Sequence, residues 1–162
     1  MKRIIFSTLA ALAWFGTSSL ATALNYTPDQ WERQIVAACL ILEASDQGEQ
    51  GMTAVANVMN NRAGGNPSRI YKEVRKPYAF TSLNSASTGK TGSRGFAGHV
   101  TRASRDSNWR IALRITDRMY EGTLTDLTHG ATHYSVVTEY VSWMRAMRQT
   151  VVIGNHKFLR KS

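Results

Sequence analysis

Between residues 30 and 62 the apolar positions recur at helical spacing. Trp31, Ile35, Ala38, Cys39 and Leu42 form one stripe, and Met52, Val55, Ala56 and Met59 a second. The first predicts a helix ending near residue 43 or 44, the second a helix over about 49–62. Thr27-Pro28-Asp29-Gln30 reads as the start of the first, with Thr27 as cap, Pro28 at the first helical position and Gln30 completing a capping box. Gly48 breaks the chain between them, so the pair should form a helical hairpin with a short acidic link over 45–49. Residues 63–103 hold six of the twelve glycines, and 81–101 is almost wholly small or polar. That composition predicts a long loop of the functional or mobile kind. A third helix is expected over 107–121, with Trp109, Ala112, Leu113, Thr116 and Tyr120 on one face and Gly122 as its stop. Short β-prone runs follow at 131–137, 140–144, 150–153 and 157–159. Helices first and a small sheet or hairpin afterwards make an α+β domain.

The N-terminus changes the picture of where this domain works. Lys2 and Arg3 precede an apolar run over 4–15, and Ala21-Thr22-Ala23 closes a small-residue stretch. This is the pattern of an export signal cleaved after Ala23, too short for an ordinary membrane span. An uncleaved anchor, giving transient membrane association, is the alternative. The domains are then 1–23 as signal and 24–162 as a single functional unit, expected in the periplasm or cell envelope, or outside the cell. The chain carries a formal charge of +9 over 162 residues, two of it in Lys2 and Arg3. Such a balance suits an anionic partner, and export leaves nucleic acid the weakest of these. Arg94, Arg102, Arg105, Arg110, Arg114 and Arg118 form a basic tract, read as a solvated face that also attracts an anionic wall. Cys39 is the only cysteine and sits in an apolar run, as a buried thiol would.

Glu43 is the anomaly. It follows Cys39 by one helical turn and Ile35 by two, so a carboxylate continues the apolar stripe. It also closes its helix, where the macrodipole disfavours a negative charge. Burial and the helix end both favour the protonated form, which is what a general acid needs. The plain alternative is an exposed last residue of a fraying helix.

The residues around it carry a resemblance. Glu43-Ala44, Gly51, Ala54-Val55-Ala56 and Asn61-Arg62 resemble the first signature of the spore-cortex-lytic (SleB-like) cell-wall hydrolase family, which begins Glu-Ala-Arg-Gly-Glu. Pro77-Tyr78-Ala79-Phe80-Thr81 is similar to the family's Gln-Phe-Ser segment. Gly130-Ala131-Thr132-His133-Tyr134 and Ile153-Gly154-Asn155-His156-Lys157-Phe158 complete an ordered set across about residues 34–160. The resemblance implies a lysozyme-like domain that cleaves the glycan strands of peptidoglycan, with Glu43 as the acid. One departure stands out: Ser45-Asp46-Gln47 replaces Arg-Gly-Glu, leaving Asp46 and Glu49 as substitutes for the missing second Glu.

Ordinary glycosidases use two carboxylates across the bond, and near Glu43 in sequence only Asp46 and Glu49 are available. A lytic transglycosylase needs one, so that reaction is favoured over a muramidase-type hydrolysis. Within the matched motifs, Phe80, Thr81, Tyr134, Asn155 and His156 are the candidates for substrate binding. For each a structural role competes: a loop anchor for Phe80, strand packing for Tyr134, a turn for Asn155 and His156. Trp31 and Trp109 read as core, and Trp143 as packing or a sugar platform. His129 and His133 are four apart, but Gly130 argues against a helix aligning them, and no metal or cofactor is expected. The expected partner is the glycan strand, with the protein a monomer. A silent wall-binding module and a cationic protein acting by charge alone are the readings in other classes.

Overall fold

The computed structural model describes residues 26–89 and 92–162, the backbone alone at 92–94. The expected export segment 1–23 and the Arg94 side chain lie outside the described residues. The first helix, α1 (Gln30–Ala44), starts where expected, with a different cap. Asp29, not Thr27, is the N-cap, and its carboxylate accepts from Glu32 N–H at 2.7 Å. A charged acceptor satisfies an orphan N–H and complements the positive helix end, which a Thr hydroxyl does less well. Pro28 therefore precedes the cap.

α1 is buried from Ile35 to Ile41 without a break. It is the central helix: α2 (Gly48–Arg62), α5 (Gly92–Ala103) and α6 (Trp109–Tyr120) all pack on it. Trp31, expected in the core, is 40% exposed, because the first turn of α1 precedes its buried span. Arg33 forks onto Asp117 with bonds of 2.6 and 2.7 Å, tying α1 to α6. On α6, Ala112, Thr116 and Tyr120 are buried, while Trp109 and Leu113 pack at the margin of the core. Arg102, Arg105, Arg110, Arg114 and Arg118 are exposed, the solvated face expected of them.

The long loop expected over 81–101 is largely helical. After α3 (Pro67–Val74) come a 3-10 turn at Thr81–Leu83, the one-turn α4 (Asn84–Ser87), and α5. Gly, Ser and Thr are weak helix formers, so packing supplies what propensity lacks: Phe96 and Ala103 are buried, with Val100 against them.

The sheet has three strands, β1 (His133–Val136), β2 (Met147–Ile153) and β3 (His156–Lys161), antiparallel in the order β1-β3-β2. The strand expected at 140–144 is absent. The turn after β1, closed by Glu139 N–H on Val136 O at 3.0 Å, leads that segment instead into a 3-10 helix, Ser142–Ala146. Phe158 and Ile153 of the sheet bury against Ala54 and Val58 of α2.

The helical link and the hairpin are joined by Gln47. Its Oε1 accepts from Asn155 N–H at 2.7 Å, and its Nε2 donates to Asp46 Oδ2 at 2.7 Å. Gly154, at φ +57°, lies so close that a Cβ there would stand 2.2 Å from Gln47 Oε1. Gly51 on α2 is equally tight against the Gln47 stem. Ser45 turns away to Asp106 (2.7 Å).

α2 also fixes the segment leading into β1. Asn57 is buried; its Nδ2 donates to Thr125 O (3.0 Å) and its Oδ1 accepts from Leu127 N–H (2.9 Å). Asn57→Ala orphans both backbone partners, and an unmade bond at a buried group costs about 1–3 kcal/mol. Urea unfolding should therefore show a loss of about 2–4 kcal/mol with an unchanged m-value.

Candidate active site

The end of α1, the segment 78–82 and β1 enclose a cleft of about 570 Å³ with Glu43 half-buried in it. Each carboxylate oxygen has a donor. Ser82 N–H reaches Oε1 at 2.8 Å, and Tyr134 O–H reaches Oε2 at 2.7 Å. Glu43 is therefore a clamped group inside a cavity and not the fraying end of a helix. Burial, then the neighbouring Glu43 charge, pushes the Tyr134 phenol well above its ordinary range. It stays protonated and donates. Burial likewise raises the Cys39 thiol, which removes it from consideration as a nucleophile.

The two donor segments are held by Arg62, at the end of α2. Its Nε donates to Thr132 O (2.6 Å), one Nη to Ala79 O (3.0 Å), and its guanidinium lies 5.0 Å from the centre of the Phe80 ring. Asn61 adds a bond to Ala131 O (2.9 Å). Burial lowers the Arg62 pKa. Phe80 is 2% exposed; it lies beneath the site, tilted against Tyr134 at 6.5 Å, and does not face the cleft. Thr81 lines it. His156 also lines it, edge-on to Tyr134 at 5.3 Å, with its Nδ1 buried and unpartnered. Asn155 sits apart, exposed at the hairpin tip where its N–H holds Gln47. Glu43, Thr81, Tyr134 and His156 thus share one cavity.

Asp46 and Glu49 are both exposed, the first bound to Gln47 and the second 3.9 Å from Arg114. Neither lines the cleft. A different carboxylate does: Glu139, hydrogen-bonded by Ser135 Oγ. Sequence proximity to Glu43 could not reveal it, since the turn after β1 brings it in. The cleft also holds three rings. Trp143 is 43% exposed and tilted against His133 at 5.5 Å. Tyr78, 80% exposed, stands at the rim with a positive φ of 63°, its N–H fixed by Asn84 Oδ1 at 3.0 Å. Such a φ is an outlier for a bulky residue. His133 has its pKa lowered by burial first, then by Arg62 and Lys161, so it enters the cleft as a neutral ring. Among the described residues no group of three or more His, Cys, Asp or Glu could hold a metal ion.

Comparison with known proteins agrees with this architecture. The Cell Wall Hydrolase family profile matches residues 46–159, beginning just after Glu43. The crystal structure of the catalytic domain of the Bacillus cereus SleB protein superposes with a TM-score of 0.62 at 22% identity, covering 86% of this chain and 97% of that one. The catalytic domain of the germination-specific lytic transglycosylase SleB from Bacillus anthracis gives 0.53 at 22% identity, covering 82% and 97%. No functionally curated protein matches the chain significantly. At that identity the solved structures establish a shared lysozyme-like α+β fold. With the profile covering most of its length, the chain belongs to the cell wall hydrolase family.

Proposed function

We propose that this protein is an exported peptidoglycan-cleaving enzyme, acting as a lytic transglycosylase with Glu43 as its general acid and base. The observation that supports this most is the Glu43 carboxyl, set in an open cleft with a donor on each oxygen. Two fixed donors orient the group, and pre-set orientation accounts for much of what an acid–base residue contributes. A solved relative described as a lytic transglycosylase points to the same reaction class.

In this reading the protonated Glu43 gives its proton to the glycosidic oxygen as the C1–O bond breaks, and the bonding electrons leave with that oxygen. The acetamido carbonyl of the muramyl ring stabilises the positive charge growing at C1. The Glu43 carboxylate then takes the proton of the same ring's 6-hydroxyl as O6 bonds to C1, giving a 1,6-anhydro end. One carboxyl serves both steps. The Tyr134 O–H holds it through each, stabilising the carboxylate state and keeping its second oxygen in place.

Glu43→Gln should reduce release of anhydro-muramyl products from purified peptidoglycan by about 10²–10⁴-fold, read by mass spectrometry. Release at the native rate would remove Glu43 from the mechanism. Tyr134→Phe keeps the ring packing on Phe80 and Phe158 and removes one hydrogen bond to a charged group. A fall of about ten- to a hundred-fold in kcat is expected, with KM little changed.

Glu139 supports a second reading, hydrolysis, because it brings another carboxylate to the cleft. There it would activate water and leave a reducing end. If so, Glu139→Gln abolishes reducing-end products. Under the leading proposal it leaves the anhydro products dominant.

A further inference from the structure

β1 is an edge strand. β3 pairs with one side of it, and among the described residues no strand pairs with the other. All four of its residues, His133, Tyr134, Ser135 and Val136, line the cleft. Side chains on a strand alternate between its faces. Four consecutive residues reach one cavity only if the backbone edge itself forms part of the wall.

The register says which backbone groups stand there. Beyond the strand, Val137 N–H donates to Asn155 O at 2.9 Å, and within it Ser135 faces Lys157 and His133 faces Leu159. In an antiparallel ladder opposed residues alternate between pairs that exchange bonds and pairs that do not. Stepping back by two from Val137 turns Ser135 and His133 toward β3. Tyr134 and Val136 then turn their N–H and C=O groups toward the cleft. Val136 O fits this direction, since it accepts from Glu139 N–H at 3.0 Å. That leaves Tyr134 N–H, Tyr134 C=O and Val136 N–H, spread over about 7 Å of strand at about 3.3 Å per residue.

Donor, acceptor, donor at strand spacing is the complement of an extended peptide, whereas sugar hydroxyls have no such register. We propose that this edge binds the stem peptide of the glycan strand being cut, by strand addition. The proposal rests on the glycan-cleaving reading above. Its geometry follows from chemistry: the stem hangs from the muramyl ring whose C1–O bond breaks, and the Tyr134 side chain touches Glu43. The ring is delivered to the acid while its peptide runs along β1. Val136, 46% exposed, gives the added strand an apolar neighbour.

The test compares the native protein on intact glycan strands and on the same strands stripped of stems by an amidase. Stripping should lower kcat/KM by about ten- to a hundred-fold, mostly through KM, as two or three lost hydrogen bonds imply. Val136→Pro removes one N–H at an edge position, where proline is tolerated, and should bring that ratio towards one. In parallel, Glu43→Gln protein given a muramyl peptide should show slowed hydrogen exchange at the Tyr134 and Val136 amides, a readout that needs neither turnover nor the proline variant. Equal rates on both substrates, or unchanged exchange at both amides, overturns the proposal and leaves glycan cleavage standing. Absence of cleavage on either substrate sinks the glycan-cleaving reading itself.

Discussion

A half-buried guanidinium holds this site together. Burying a cation is costly unless its donors are used, and Arg62 uses them on backbone carbonyls from both sides of the cleft: Ala79 on one, Thr132 on the other. Those segments continue directly to Ser82 and Tyr134, the donors to Glu43. The rigid fork of Arg suits this better than a Lys ammonium, because it fixes two directions at once. Phe80 beneath it supplies an aromatic face in place of water. The acid is therefore positioned from α2, although it belongs to α1.

Much of this was legible in the sequence. The stripes on α1 and α2 were visible because amphipathic helices must bury one face, and Glu43 stood out as a charge on such a stripe. The first helix was read as one apolar stripe, whereas the structure buries residues 35–41 without a break, as suits a central helix covered all round. The misreading of residues 81–101 has a simple origin. Small polar residues look like a loop by composition, yet Phe96, Val100 and Ala103 recur at helical spacing, and burial of that stripe outweighs poor propensity.

What could not be read was anything that depends on the chain returning. Glu139 lies beyond the last α-helix, and only the turn after β1 brings it to the cleft beside Glu43; Trp143 was read as packing or a sugar platform, but its place in the cleft depends on the same turn. Arg62 and Asn61 were visible as parts of a motif, but their work is done on carbonyls far along the chain. The same holds for Asn57. Backbone acceptors leave no trace in side-chain composition, so side chains that bind them look unassigned until the fold is known.

The contact of Gln47 with Asp46 ties the choice of side chain at one position to the other. The signature that this segment resembles has Gly-Glu where Asp46 and Gln47 stand, and a glycine brings no charge to its neighbour. Here Asp46 accepts from the Gln47 amide, while the other end of that amide holds the hairpin tip through Asn155. A carboxylate at 47 could still accept from Asn155 N–H, but it would face Asp46 with like charge. The side chains at the two positions are thus coupled through one hydrogen bond. An amide at 47 lets one side chain accept at the hairpin tip and donate to Asp46 at once, so the link carries no charge conflict.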